Sequence, residues 1–282
     1  MTEPLDIEAV EARLQEALVR RAVRARATAV LYPILVAAAL ALLWEIGSRV
    51  LHIPTFLVPA PSSVVSVLGG KAHVLVRHGW TSTQEIVLGY VLSIVVGIPL
   101  ALGIYFWPPF ARSVYPLLVS SQAVPKTAIA PVFVVWFGFG LLPKVLIAFL
   151  IAFFPIVINT VIGLASLEAE KIYLARSMAM GPLSTFFKIR LPHALPSIFG
   201  GLKIAITLAV VGAVVGEFVG ADAGLGHLLL EANGAMDTPL LFAGLVGLTV
   251  IGVVFFLLIE TAERLAIPWH VSSRTTFKGE SL

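Results

Sequence analysis

The chain has no cysteine, so disulfides and thiolate metal sites are both excluded, and no thiol pattern marks a redox compartment. Charge is also scarce. Asp, Glu, Lys and Arg together make up 12% of residues, against about 25% in a soluble domain. So little charge does not cover a water-facing surface, which excludes a soluble enzyme and a disordered chain. The net charge of +3 is small and scattered, which excludes a nucleic-acid partner. Catalytic motifs are missing as well. None of the six histidines lies in an HExxH motif, and no GxSxG occurs. Gly69-Gly70-Lys71 lacks the upstream glycine of a phosphate loop, and Ala72 stands where Ser or Thr would bind magnesium. The chain shows no means of binding ATP or hydrolysing it. Energy for active transport would come from a partner or from an ion gradient.

What is present is apolar. Of 282 residues, 59% are hydrophobic, and they fall into runs long enough to cross a bilayer, which takes about 20 residues. Residues 27–44, 86–106, 113–143, 145–167, 204–221 (extending back to Leu191, with Lys203 the one Lys or Arg on the way) and 238–259 predict six spans. No alternating ten-residue pattern argues for a barrel. The expectation is an all-α polytopic membrane protein with about six transmembrane helices. It divides into an N-terminal segment 1–26, a transmembrane domain 27–266 with a long inner connection 168–195, and a tail 267–282. Thirteen basic residues fall on one side: Arg13, Arg20, Arg21, Arg24, Arg26, Arg112, Lys171, Arg176, Lys188, Arg190, Arg264, Arg274 and Lys278. The other side has Arg49, Lys71 and Arg77. The bias predicts both termini in the cytoplasm of a cell-membrane, multi-pass protein. No cleavable signal is visible in the first 26 residues. Residues 7–26 carry apolar positions at helical spacing. They read equally as an interfacial helix on membrane lipid or as a solvated tail.

Between the spans, residues 52–81 form the longest outer connection, where Ser62 or Ser63 is placed to cap a short helix over 64–68. Prolines and glycines recur inside the spans, and each proline frees a backbone carbonyl. Gly212 and Gly216, and Gly244 with Gly247, offer close helix approach. Two charges fall inside spans, Lys126 after Pro125 and Glu217 after Gly216. A charge at mid-bilayer costs about 2.5–3.5 kcal/mol even on the mildest scale. Pro125, Lys126 and Glu217 are therefore candidates for the pathway or its gate, with Lys126 a possible partner of Glu217. Glu45 and Glu85 lie near span ends and read as interfacial.

Two stretches carry a resemblance. Tyr173-Leu174-Ala175-Arg176-Ser177-Met178-Ala179, nine residues, then Ile189-Arg190-Leu191-Pro192 resembles the EAA loop of binding-protein-dependent ABC importers. In that loop Glu-Ala-Ala, three residues, Gly and nine residues precede Ile-x-Leu-Pro. Tyr173, Leu174 and Ala179 depart from the Glu, first Ala and Gly of the pattern. Residues 122–144 (QAVPKTAIAPVFVVWFGFGLLPK) and 191–226 (LPHALPSIFGGLKIAITLAVVGAVVGEFVGADAGLG) are similar to the permeases of the nitrate, sulfonate and taurine importer family. The nearest branches import pyrimidines and other vitamin precursors. The resemblance covers about residues 50–270. It implies the ABC type I importer permease fold, a homodimer with a second permease copy, two cytoplasmic ABC ATPase subunits that bind the ATP, and an extracytoplasmic solute-binding protein. It implies no cofactor, catalytic residue or metal on this chain. The ATPase-coupling residues it implies are Ala175, Arg176, Ala179, Gly181, Pro182, Leu183, Phe186, Phe187, Ile189, Leu191 and Pro192. With Ala179 in place of Gly, Gly181-Pro182 is expected to supply the break before a second short helix over about 182–189. Leu183, Phe186 and Phe187 would then form its apolar knob, and Leu191-Pro192 would mark the turn into the fifth span. The alternative is an ion-coupled secondary transporter or channel that uses Lys126 and Glu217.

Overall fold

The computed structural model of the chain describes residues 31, 32 and 34–269. The expectations for residues 1–26 and for the tail from 270 onward lie outside the described residues. The chain falls into two compact units, Met1–Ser66 and Val67–Leu282.

The first unit contains helix α1, over 34–50, which continues the first apolar run. The carboxylate of Glu45 on α1 accepts from the Ser62 amide (3.0 Å), the Ser62 hydroxyl (2.8 Å) and Arg49 Nε (2.6 Å). The Ser63 hydroxyl donates to the Ala60 carbonyl. Neither serine therefore caps the next helix, contrary to expectation. That helix, α2 (Pro61–Gly70), starts with a proline, whose missing amide proton costs nothing at the first helical position.

Among the described residues of the second unit the regular elements are helices: α3 (Ala72–Phe106), α4 (Pro108–Ser121), α5 (Lys126–Phe137), α6 (Leu141–Ala165), α7 (Ala169–Ser177), α8 (Pro182–Thr185), α9 (Leu191–Gly220), α10 (Leu225–Gly234) and α11 (Thr238–Ala266). Among the described residues, four helical stretches are long and apolar enough to cross a membrane: Ala72–Phe106, Leu141–Ala165, Pro182–Gly220 and Thr238–Ala266. The pair α4 and α5 makes a fifth only if counted as one broken span, because the two are bent by 97°. The third predicted span is thus not a straight rod. Pro125 cannot donate to the helix before it, and its ψ of 101° turns the chain.

The second span begins fourteen residues earlier than the uncharged run. Polar residues from His73 to Glu85 interrupt the run, but none of them breaks a helix. The 52–81 connection is therefore mostly helical.

Ile86, Ile156 and Ile206 meet at the centre of α3, α6 and α9, packed around Ala152, Ala205 and Ala209. Gly212 and Gly216 make the α6–α9 seam possible. A Cβ at Gly212 would sit 2.6 Å from the Ala148 Cα, and one at Gly216 would sit 3.0 Å from the Lys144 Cα. This is the small-xxx-small approach of membrane helices. One face of α11, with Val250, Val254 and Leu257, is exposed and suits lipid.

Candidate functional site

The connection over residues 168–195 builds a short helical hairpin. Helix α7 stops at Ala179, not at Gly181. The Met180 amide donates to the Ala175 carbonyl (3.0 Å) and the Ala179 amide to the Arg176 carbonyl (2.9 Å). These are the two bonds of a Schellman stop, which needs a left-handed residue between them. Ala179 takes that conformation, with φ 54°. The position where the resembling loop carries Gly is thus left-handed in this chain, with an alanine in it. Gly181 and Pro182 perform the other expected step. Gly181 is extended at the cap, and Pro182 opens α8.

The second helix runs on further than expected. After Thr185 it widens into a π turn over Phe186–Arg190, closed by the Leu191 amide on the Phe186 carbonyl, and passes straight into α9. Leu191-Pro192 is therefore not a turn. Pro192 has no amide proton and would crowd the carbonyl four residues back. A widened turn just before it relieves that conflict. Ile189 lies within the π turn and, like Leu191, is half-buried.

The apolar knob divides in two. Leu183 is 72% and Phe187 57% exposed. Phe186 instead packs inward, its ring 5.1 Å from that of Phe106, within the cluster of Leu164, Ala194 and Ile198. Ala175 is buried and Arg176 exposed.

The break in the third span exposes Pro125 and half-buries Lys126. The Lys126 ammonium lies 5.8 Å from the centre of the Phe154 ring, at one side of a cavity of about 270 Å³ between α4, α5 and α6. Among the described residues it makes no ion pair, and Glu217 is not its partner.

Glu217 is 1% exposed. Its Oε1 accepts from the Ser82 hydroxyl at 2.5 Å. Its Oε2 accepts from the Gly226 amide and from the His227 amide at 3.3 Å. Ser82 in turn accepts from the Leu225 amide at 2.8 Å. Glu217 and Ser82 thus satisfy the free amides that open α10. Gly224, at φ 125°, leaves room for the Glu217 carboxyl that a Cβ would fill.

The expectation for Glu85 is corrected by its packing. Glu85 is not interfacial but fully buried, and Lys144 on α6 donates to its Oε1 at 2.6 Å with side-chain exposures of 7% and 0%. Among the described residues Glu85 Oε2 has no hydrogen-bond donor, and the Glu217 carboxyl is its neighbour. One ammonium and two carboxyls from α3, α6 and α9 therefore form a closed group inside the bundle. The available signal was one acid and one base each flanking a long apolar run, at Glu85 and Lys144. Their pairing needs the helix packing, which spacing along the chain does not supply. A second pair, Lys203 with Glu263 at 2.6 Å, joins α9 to α11.

Comparison with known proteins agrees with this architecture. The family described as binding-protein-dependent transport system inner membrane component matches residues 93–268. The formylaminopyrimidine transport permease ThiX of Halalkalibacterium halodurans is 37% identical over 82% of the chain and 92% of its own length. The riboflavin transport system permease RibX of Chloroflexus aurantiacus is 33% identical over 81% and 86%. An inward-facing structure of the MetNI methionine ABC transporter shares the fold, with a TM-score of 0.56 at 22% identity over 69% of this chain and 95% of the other. With the family matched across the broken span, the helical hairpin of residues 169–190 and the last two spans, the chain belongs to the inner-membrane permeases of binding-protein-dependent ABC importers.

Proposed function

We propose that the chain, as the permease of such an importer, passes a small nitrogen heterocycle of the vitamin or pyrimidine-precursor class, and does so as a homodimer with both termini cytoplasmic. The identity to ThiX over 92% of that protein carries the substrate class. Sulfonates, nitrate and taurine form the competing class. ATP binds on separate ATPase subunits, a binding protein delivers the solute from outside, and the permease itself holds no cofactor and does no chemistry.

Leu183 and Phe187, exposed on the inner hairpin, are the residues that would enter a groove on the ATPase. Arg176 and the backbone stop at Ala179 would fix how they are presented. Pro125 and Lys126, at the exposed break, are the pathway residues, while Glu217 holds α10 in place and lies off the path. The decisive experiment reconstitutes permease, ATPase and binding protein in liposomes and follows labelled aminopyrimidine, flavin and taurine. Uptake of a heterocycle that needs both ATP and the binding protein is expected. Uptake driven by a proton or sodium gradient without ATP would overturn the reading.

A further inference from the structure

Behind the inner hairpin lies a cavity of about 440 Å³, within the size range of small-molecule sites. Tyr105, Phe106, Arg176, Thr185, Phe186 and Arg190 line it, and no lining residue among those described is acidic. Among the described residues, neither of its two guanidinium groups is neutralised. Among the described residues Arg176 has no side-chain partner. Arg190 lies 4.8 Å over the Tyr105 ring and reaches only the Leu164 carbonyl, at 3.5 Å. Glu168, at the start of α7, is paired with Lys171 at 3.1 Å.

The cavity also sits at a definite depth. Tyr105 and Phe106 end the membrane-spanning α3, and Phe106 and the following Trp107 are 59% and 62% exposed. Aromatic rings at a span end mark the headgroup level of a bilayer. Two forked guanidinium groups suit the oxygens of a phosphate, and basic pockets between membrane helices on the cytoplasmic side hold anionic headgroups.

We propose that this cavity binds the phosphate of an anionic phospholipid from the inner leaflet. Arg176 and Arg190 hold the phosphate oxygens, and the glycerol end lies along Phe106 and Trp107. The volume exceeds what a single inorganic phosphate fills, and the exposed rings beside it suit a ligand with an apolar end. The ligand is neither the transported solute nor the ATPase. The inward placement of the hairpin rests on the importer reading, but the binding is read on the isolated permease without transport. A failed lipid result therefore leaves the importer standing, and failed uptake leaves the lipid result standing.

The test uses purified full-length permease in native mass spectrometry, titrated with phosphatidylglycerol, phosphatidylcholine and glycerol phosphate. One phosphatidylglycerol per chain should be retained over phosphatidylcholine. Arg176→Gln should weaken that retention about fivefold, and Arg176→Gln with Arg190→Gln about thirtyfold, the worth of one and two basic residues at an anionic surface. Arg112→Gln, at an exposed arginine outside the cavity, should leave it unchanged. Since Arg176 is exposed, its single variant keeps the fold and keeps the test readable if the double variant does not. Equal retention of both lipids, or unchanged retention in Arg176→Gln, would overturn the proposal. Displacement of the lipid by glycerol phosphate at equal concentration would assign the site to soluble phosphates and overturn the lipid assignment. Stoichiometric loss of the lipid on adding the ATPase would show that the two arginines belong to the ATPase contact instead.

Discussion

At the residue scale, Ala179 holds a left-handed conformation that costs an L-residue about 1–2 kcal/mol. Glycine is free of that cost. Ala179→Gly should raise the permease's stability by about 1 kcal/mol, seen as a higher unfolding midpoint in detergent, with the hairpin unchanged. The buried charges behave in the opposite way. Lys144→Met leaves the Glu85 carboxyl without its ammonium, and breaking a buried pair costs about 3–5 kcal/mol. Lys144→Met combined with Glu85→Leu removes both charges and should recover much of that loss. Equal destabilisation by the single and double variants would show that the pair is not what couples α3 to α6. Glu217 had to find partners because a charge in lipid is costly, and that much followed from sequence. Which partners it found did not. Lys126 is the charge that the sequence offers, but the carboxyl is taken by Ser82, 135 residues away, and by the α10 amides of Gly226 and His227, 9 and 10 residues further on.

At the element scale, the split of the apolar knob separates two effects that a single stretch of sequence combined. Leu183→Ala with Phe187→Ala removes only exposed side chains. It should leave the permease as stable as wild type while weakening ATPase co-purification about thirtyfold or more, the loss expected from an anchoring contact worth about 2 kcal/mol. Phe186→Ala should lower the stability of the permease itself, since that ring packs on Phe106. The start of α11 gives a pH prediction. Asp237 caps it through the Leu240 amide at 3.1 Å and pairs with Lys71 at 2.9 Å. The Lys71 ammonium, foremost, holds the Asp237 carboxyl below its usual range. A lowered carboxylate pKa stabilises the fold fully above its ordinary value of about 3.9, and the contribution is lost as pH falls through the lowered value. Asp237→Asn should therefore unfold earlier than wild type by a constant margin from neutral pH down to about 5, with the margin closing only in stronger acid. Helix periods and apolar runs marked where α6, α9 and α11 would lie. They did not reveal the 97° bend between α4 and α5, because Pro125 constrains one turn without setting the direction in which the chain leaves it.

At the scale of the whole molecule, orientation can be read directly, since the chain has no cysteine to remove first. Single cysteines at Ser63 and Asn233 should react with an impermeant reagent from outside, and one at Ser177 only after the cells are opened. Labelling at Ser177 in intact cells would invert the topology. The stretch Pro182–Gly220 then takes on a mechanical meaning. Its 39 residues form a rod of about 58 Å at 1.5 Å per residue, with a widened turn but no loop along it. At one end stands Phe187; three residues from the other stands Glu217, whose carboxyl clasps the first amides of α10. If the ATPase docks at Phe187 as proposed, a push there would meet no slack in which to dissipate. It would turn the rod as a lever about its tight Gly212–Ala148 crossing, and α10 would travel with the far arm.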